Sequence, residues 1–369
     1  MKILGLNAGE FNTSASILVK DNITAAVQEE RFTRNKFTKE FPYNSIKYCL
    51  AEEKLKISDL DAISFGWNPS AHMTSYNEQF SKNRILRENN FYAMSDNLFN
   101  LSERNVGDFT LVKHGSTKNM PEIFHVQHHL CHASAAFFLS NFDEAAILTA
   151  DFKGETQCTT WSYGHGNKIK IIDFQNIPDS LGIIYATFTQ LLGYKADSDE
   201  WKVMAMSAHK VNCNHYIKKI KSTYTLLKNG KLKLNKNFYG FFSKENKYLY
   251  TSKLLKLLNV KKVFYTNNPS ERDILIAKAL QFCAEEIAIH FLKHLYKLTK
   301  CKNLVLGGGF FMNSVFNGKI SEKTNFNSGI TSFIFRYNVQ HSTFFYFYDC
   351  YRNRLSTFHE LSCHAYFFS

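Results

Sequence analysis

Two well-separated stretches of this chain alternate apolar runs with clusters of Gly, Asn, Thr and Ser in the same strand, turn, strand order. The first, KILGLNAGEFNTSASILVKDNITAAVQEERF, predicts strands over residues 3–6, 15–20 and 23–28, the last two joined by a tight turn at Asp21-Asn22. The second, NFDEAAILTADFKGETQCTTWSYG, predicts a loop, a strand and a hairpin. A chain that writes this pattern twice points to an α/β fold with two related halves, each a mixed sheet flanked by helices. With 369 residues, 44% hydrophobic and 21% charged, it can bury cores of that size.

The remaining segments fill in the helices. Spacing predicts a helix over 43–54, a strand over 62–67 and a polar insertion rich in Asn and Ser over 68–120. HVQHHLCHASAAFFLS has helical spacing with small residues, and SLGIIYATFTQLLGYK reads as an amphipathic helix closed by Gly193. Residues 210–265 are Lys-rich and weakly patterned, a variable insertion with a solvated face. From 271 to 300, Ile274, Ala277, Leu280, Ala284, Ile287, Phe291 and Leu295 recur in threes and fours, the apolar face of one long helix. It feeds a strand at 303–306 and the turn Gly307-Gly308-Gly309. Beyond that the pattern fails: 13 of the last 39 residues are Phe or Tyr, and no Lys follows Lys323. The reading is a change of frame near residues 325–330, a second half left incomplete, and an aberrant aromatic tail over 323–369 that packs poorly.

The formal charge of +13 raises nucleic acid as a partner, yet Lys outnumbers Arg 36 to 9. Surfaces that read bases lean on the Arg fork, so the composition argues against it. The eight cysteines carry no CxxC pair, as expected for reduced thiols in a cytoplasmic protein. No run reaches the roughly 18 apolar residues of a membrane helix, and MKILGLNAGEF places Gly, Asn and Glu where a signal peptide is apolar. A membrane partner is not expected.

His128 and His132 stand four apart in a helical segment, so their imidazoles share a face and can share a divalent metal. His125 and His129 form a second such pair. Asp151, at the tip of AILTAD, offers a carboxylate that can reach a helix-borne ion. The Gly triplet followed by FFMNSVFNGKI is a strand, turn, helix whose bare amides can receive phosphate, with Asn313 and Asn317 four apart and pointing the same way. Glu200, Lys202 and Met204 alternate in DEWKVMAM, so an extended segment would put carboxylate and ammonium on one face.

In this order the pieces resemble the NodU/CmcH O-carbamoyltransferases, whose N-terminal domain is related to the tRNA threonylcarbamoyl-transfer enzymes and, more distantly, to the actin and sugar-kinase ATPase fold. The matching stretches are GLNAGEFNTSASILVKDNITAAVQEERFTR, HVQHHLCHASAAF, ILTADFKGET, SLGIIYATFTQLLGYK with EWKVMAM, and NLVLGGGFFMNSVFNGKI, within residues 1–322. The resemblance implies that His128, His132 and Asp151 ligate a divalent transition metal, iron or a similar ion. It implies an adenine-nucleotide site lined by Gly308, Gly309, Asn313 and Asn317, with Asn12 and Ser14 in the first turn, Gly154 and Glu155 in a second phosphate-facing loop, and Glu200 and Lys202 as the catalytic pair.

The implied reaction converts carbamoyl phosphate and ATP to carbamoyl adenylate, then moves the carbamoyl group to a hydroxyl of a sugar or antibiotic-like acceptor. The chain departs from the family pattern at Phe11, where His is usual, and at Phe152, where the acidic loop DFKGE replaces a Gly. The segment that carries the last metal ligand and the domain that makes the adenylate are not found, so a truncated, impaired enzyme is expected. Two other readings stand beside it: a non-catalytic remnant that binds metal or nucleotide, and a tRNA threonylcarbamoyl-transferase-like protein. The charge favours the latter, whereas EERFTR and NGKI look like the O-carbamoyl branch.

Overall fold

The computed structural model describes residues 1–8, 12–20, 22–68, 121–240, 248–261, 269–327 and 331–332. They fall into two compact units, residues 1–139 and 140–332. Phe11, nearly all of the polar insertion and the aromatic tail after Ser332 lie outside the described residues.

The first unit runs β1 (Lys2–Asn7), β2 (Ser14–Val19), β3 (Asn22–Gln28), α1 (Glu30–Thr33), α2 (Tyr43–Glu52), β4 (Ala62–Phe65), β5 (Glu122–His125) and α3 (His128–Phe138). Its sheet has the order β3-β2-β1-β4-β5. The first three strands form an antiparallel meander, while β4 and β5 lie parallel to β1. Because β1 is central, its Ile3, Leu4 and Leu6 are buried on both faces, the run of apolar residues that a covered strand requires. Leu4 and Leu6 pack with Ile17, Ile63 and with Ile46 and Cys49 of α2. On the other face Ile3, Leu18 and Ala62 pack with Val126 and with Cys131 of α3. Each such aliphatic side chain contributes about 1.5–3 kcal/mol when fully buried.

The second unit runs β6 (Glu144–Ala150), β7 (Gln157–His165), β8 (Lys168–Asn176), α4 (Leu181–Leu191), α5 (Glu200–Met206), α6 (Asn214–Lys221), β9 (Tyr224–Leu226), β10 (Leu232–Leu234), α7 (Ser252–Leu258) and α8 (Glu271–Thr299). It continues through β11 (Leu304–Gly307), a 3-10 turn (Gly309–Met312), α9 (Ser314–Asn317), α10 (Ile320–Lys323) and β12 (Thr331–Ser332). The main sheet has the order β12-β11-β6-β7-β8. Here too the first three strands are an antiparallel meander and the other two lie parallel to the first. The two related mixed-sheet halves expected from the sequence are therefore present, with matching strand order and direction. The fifth strand of the second half is two residues long.

Helix α8 is started by a capping box in which the Asp273 amide donates to Ser270 Oγ and the Ser270 amide donates to the Asp273 carboxylate. Of the apolar face read from the sequence, Ala277, Leu280, Ala284, Ile287, Phe291 and Leu295 are fully buried, and only Ile274 is half-buried. Trp161 of β7 packs edge-on against Phe291 and donates its indole N–H to the Phe291 carbonyl at 2.9 Å. The described part of the Lys-rich stretch after residue 210 contributes side chains to the core. Ile220, Leu232, Leu234, Leu254 and Leu258 are buried in the same core as α8, so only its lysine face follows the expectation of a solvated insertion.

Candidate functional site

In the first unit, α3 lies close to the sheet because Ala133, Ser134 and Ala136 are small and buried. That packing also buries His128 and His132. Their Nε2 atoms face each other at 3.1 Å, with the rings perpendicular and Trp67 edge-on to His128. Two nitrogens bound side by side to one ion, each about 2.0–2.1 Å from it, lie about 3 Å apart, so the pair has the separation of two ligands to a common cation.

The second pair read from the sequence, His125 with His129, does not share a helix. His125 ends β5, in register with Phe65 of β4, because parallel pairing takes the backbone up to that residue before α3 begins. Its ring stacks on Phe65, its Nδ1 is 3.1 Å from the Trp67 carbonyl, and burial holds its pKa below the usual histidine value.

In the first turn Asn12 is buried and left-handed (φ 60°), a conformation Asn tolerates better than most residues, and its carbonyl accepts from Asn7 Nδ2 at 3.1 Å. Ser14 is buried opposite Asn7 in the β1–β2 register. Glu29 was not singled out from the sequence. It is almost fully buried, and its carboxylate accepts from the amides of Asn44 and Ser45, from Asn44 Nδ2 and from Ser45 Oγ. It satisfies the N-terminus of α2 from fifteen residues away, where Pro42 supplies no cap of its own. Only its place in EERFTR hinted at a role.

In the second unit Asp151 directly follows β6 and is buried; its amide donates to the Cys158 carbonyl and its Oδ1 accepts from the Phe152 amide at 2.7 Å. Ser180 caps α4 by accepting from the Ile183 amide, and its Oγ lies 2.8 Å and 2.9 Å from the carbonyl oxygens of Asp151 and Phe152, to which its hydroxyl can donate. A Cβ on Gly182 would sit 2.5 Å from the Phe152 amide nitrogen, so the helix can approach this loop only because residue 182 is Gly. Gly154 closes the turn with its amide on the Gln157 carbonyl at 2.7 Å, and Glu155 beside it is buried.

The turn after β11 requires glycine at one position in particular. Gly308 has φ 92°, and a Cβ there would lie 2.4 Å from the Ala150 carbonyl oxygen. The two asparagines do not share a helical face, because α9 begins only after Asn313. Asn313 caps it by accepting from the Phe316 amide, while Asn317 donates back to the Phe311 carbonyl at 2.7 Å. DEWKVMAM is helical from Glu200, not extended, so Glu200 and Lys202 point to different sides. Lys202 pairs with Asp199 at 3.1 Å, and Glu200 accepts from the Asp197 amide at 2.7 Å. Burial raises the Glu200 pKa above the usual carboxylate value against the lowering pull of backbone hydrogen bonds.

The family profile described as "Carbamoyltransferase N-terminus" matches residues 2–331. The chain belongs to the carbamoyltransferase family. Among its relatives, the uncharacterized protein sll1178 of Synechocystis is 31% identical over 88% of this chain and 53% of its own length. The nodulation protein NolNO of Sinorhizobium fredii is 30% identical over 84% of this chain and 42% of its own. This carbamoyltransferase-family chain therefore spans about half the length of the curated relatives it matches. Among solved structures, component A of the (R)-2-hydroxyglutaryl-CoA dehydratase of Acidaminococcus fermentans is similar over 96% of this chain and 98% of that one, at 13% identity and a TM-score of 0.45. No helix among the described residues is long and apolar enough to cross a membrane.

Proposed function

We propose that this chain is the metal- and nucleotide-binding part of an O-carbamoyltransferase that uses ATP and carbamoyl phosphate to form carbamoyl adenylate and passes the carbamoyl group to a hydroxyl-bearing acceptor, a sugar or antibiotic-like molecule. The observation that carries this reading is the buried His128–His132 pair with its ring nitrogens 3.1 Å apart, in a chain that matches the family from residue 2 to 331. His128, His132 and Asp151 are each buried and each offers one ligand atom. Two imidazoles and a carboxylate suit a divalent transition ion such as iron. When bound, such an ion supplies positive charge that holds phosphate oxygens and polarises a carbonyl.

The chain's own groups do the rest. Backbone amides at Gly308 and Gly309 and at Glu155 face phosphate, while Gly154, whose amide donates to the Gln157 carbonyl, shapes the loop; Asn12 and Ser14 lie in the equivalent turn of the first half, and Asn313 and Asn317 hold the rest of the nucleotide. Glu200, as a carboxylate whose proton affinity burial raises, takes the proton of the acceptor hydroxyl as that oxygen bonds to the carbamoyl carbon and AMP leaves. Lys202 serves this step by holding Asp199 and the start of α5 in place.

Two measurements on the purified chain test this. Metal analysis after anaerobic exposure to Fe(II) is expected to show about one ion per chain, lost in the double variant H128A/H132A, since removing direct ligands costs more than the 10–100-fold typical of their outer partners. Calorimetric titration is expected to show ATP binding. A chain that retains no ion and gives no heat with ATP refutes the reading.

A further inference from the structure

The second half contains a chain of buried polar side chains that leads from α8 to Asn313. It begins at Glu285 on α8, whose carboxylate is held by Lys319 at 2.7 Å and by Lys323 at 3.7 Å. A carboxylate in that setting only accepts, so the group that meets it at 3.0 Å must be the amide nitrogen of Gln281, one helical turn earlier. That fixes which way the Gln281 amide points. Its oxygen then faces Tyr185 and Asn313, accepting from the Tyr185 hydroxyl at 3.0 Å and from Asn313 Nδ2 at 2.9 Å. Burial, with the charges of Glu200 and Glu285, keeps the Tyr185 phenol protonated and able to donate. The second Gln281 N–H donates to Asn313 Oδ1 at 3.1 Å. Every hydrogen-bonding position of Gln281 is used.

The consequence falls on Asn313. Its Oδ1 accepts from both Gln281 and the Phe316 amide, which fills its two lone pairs. One of its Nδ2 hydrogens goes to Gln281, and the other has no partner among the described residues. A flipped Asn313 would turn its NH2 toward the Phe316 N–H and the Gln281 NH2 at once, an arrangement of donor against donor.

We infer that Gln281, oriented by Glu285 and Lys319, is a positioning residue that locks Asn313 as a hydrogen-bond donor, so that Asn313 takes an acceptor atom of the nucleotide and cannot take an N–H of it. This rests on the proposal that the Gly308–Asn317 segment holds a nucleotide, and it adds which residues set the polarity of that contact.

Calorimetric titration of ATP into the full chain and the variants Q281L and N313D tests it, with iron content measured on each. Aspartate caps a helix as well as asparagine does but has no N–H to give. Both variants are expected to bind ATP at least about tenfold more weakly while keeping wild-type iron content, which a general loss of structure would not do. ATP binding at wild-type strength in either variant overturns the inference and leaves the nucleotide site standing. No ATP binding by the unaltered chain overturns the nucleotide site itself, and this inference with it.

Discussion

The two halves use one strand plan and anchor it by different means. In each, a helix packs after the third strand of the meander, α2 after β3 and the single turn of α1, and α4 directly after β8. The second-half helix is capped by its own preceding residue, Ser180, which also ties it to the backbone of Asp151 and Phe152. The first-half helix has no side-chain cap of its own and borrows a carboxylate from Glu29. The halves also differ in what they back onto the sheet: helices of ten and eleven residues in the first, a 29-residue helix and a hairpin in the second. A shared topology thus determines where turns and helix starts fall, while the residues that secure them are free to differ. That freedom is why the candidate site residues fall in corresponding turns, Asn12 and Ser14 after β1 and Asp151, Gly154 and Glu155 after β6, without resembling each other.

The largest test of this comparison is at the turn after β11. Gly308→Ala places a Cβ against the Ala150 carbonyl in a left-handed conformation, and is expected to cost roughly 2–5 kcal/mol in urea unfolding. A cost below about 1 kcal/mol would mean that β11 and β6 can separate freely, and that the second half is not organised around their close approach.

The caps come next. Glu29→Ala leaves the backbone amides of Asn44 and Ser45, the latter buried, and two side-chain donors without their acceptor and is expected to cost about 2–4 kcal/mol, whereas Ser180→Ala removes an ordinary cap and is expected to cost about 1 kcal/mol. Equal costs would erase the distinction between remote and local anchoring.

The smallest effect is in pH. His125 in the first half and His290 in the second are both held below the usual histidine value, chiefly by burial. Each folded pKa lies beneath the unfolded value of about 6.5, so the unfolded chain binds more protons below that pH. The stability these neutral rings contribute is present above about pH 6.5 and declines as pH falls towards their lowered folded values. His290→Gln is expected to flatten part of that decline in thermal unfolding, and an unchanged slope would show that His290 titrates alike in both states.

Much of this fold was legible in the sequence because its signals are local. Alternating and continuous apolar runs gave the meanders of both halves, the recurrence from Ala277 to Leu295 gave α8, and the spacing of His128 and His132 placed two imidazoles on one turn whatever the surroundings. Other features depend on partners distant in the chain. Nothing near Glu29 says that it caps a helix starting at Tyr43, and nothing near Gly182 says that Phe152 will lie against it. DEWKVMAM alternates like a strand yet folds as a helix, since Val203 and Met206 are one turn apart and both buried, and tertiary packing overrides a two-residue pattern that short.

By itself, then, the order of residues determined which segments become strands and long helices and that His128 and His132 lie one turn apart on α3, because those properties follow from the repeat of a single element. Only the tertiary structure decided how buried polar groups are satisfied. The orientation of Asn313 depends on Gln281, Glu285, Tyr185 and Lys319, which meet only once α4, α8 and the turn after β11 have packed around one core. A buried amide must find all its partners at once, and those partners come from segments that no local window joins.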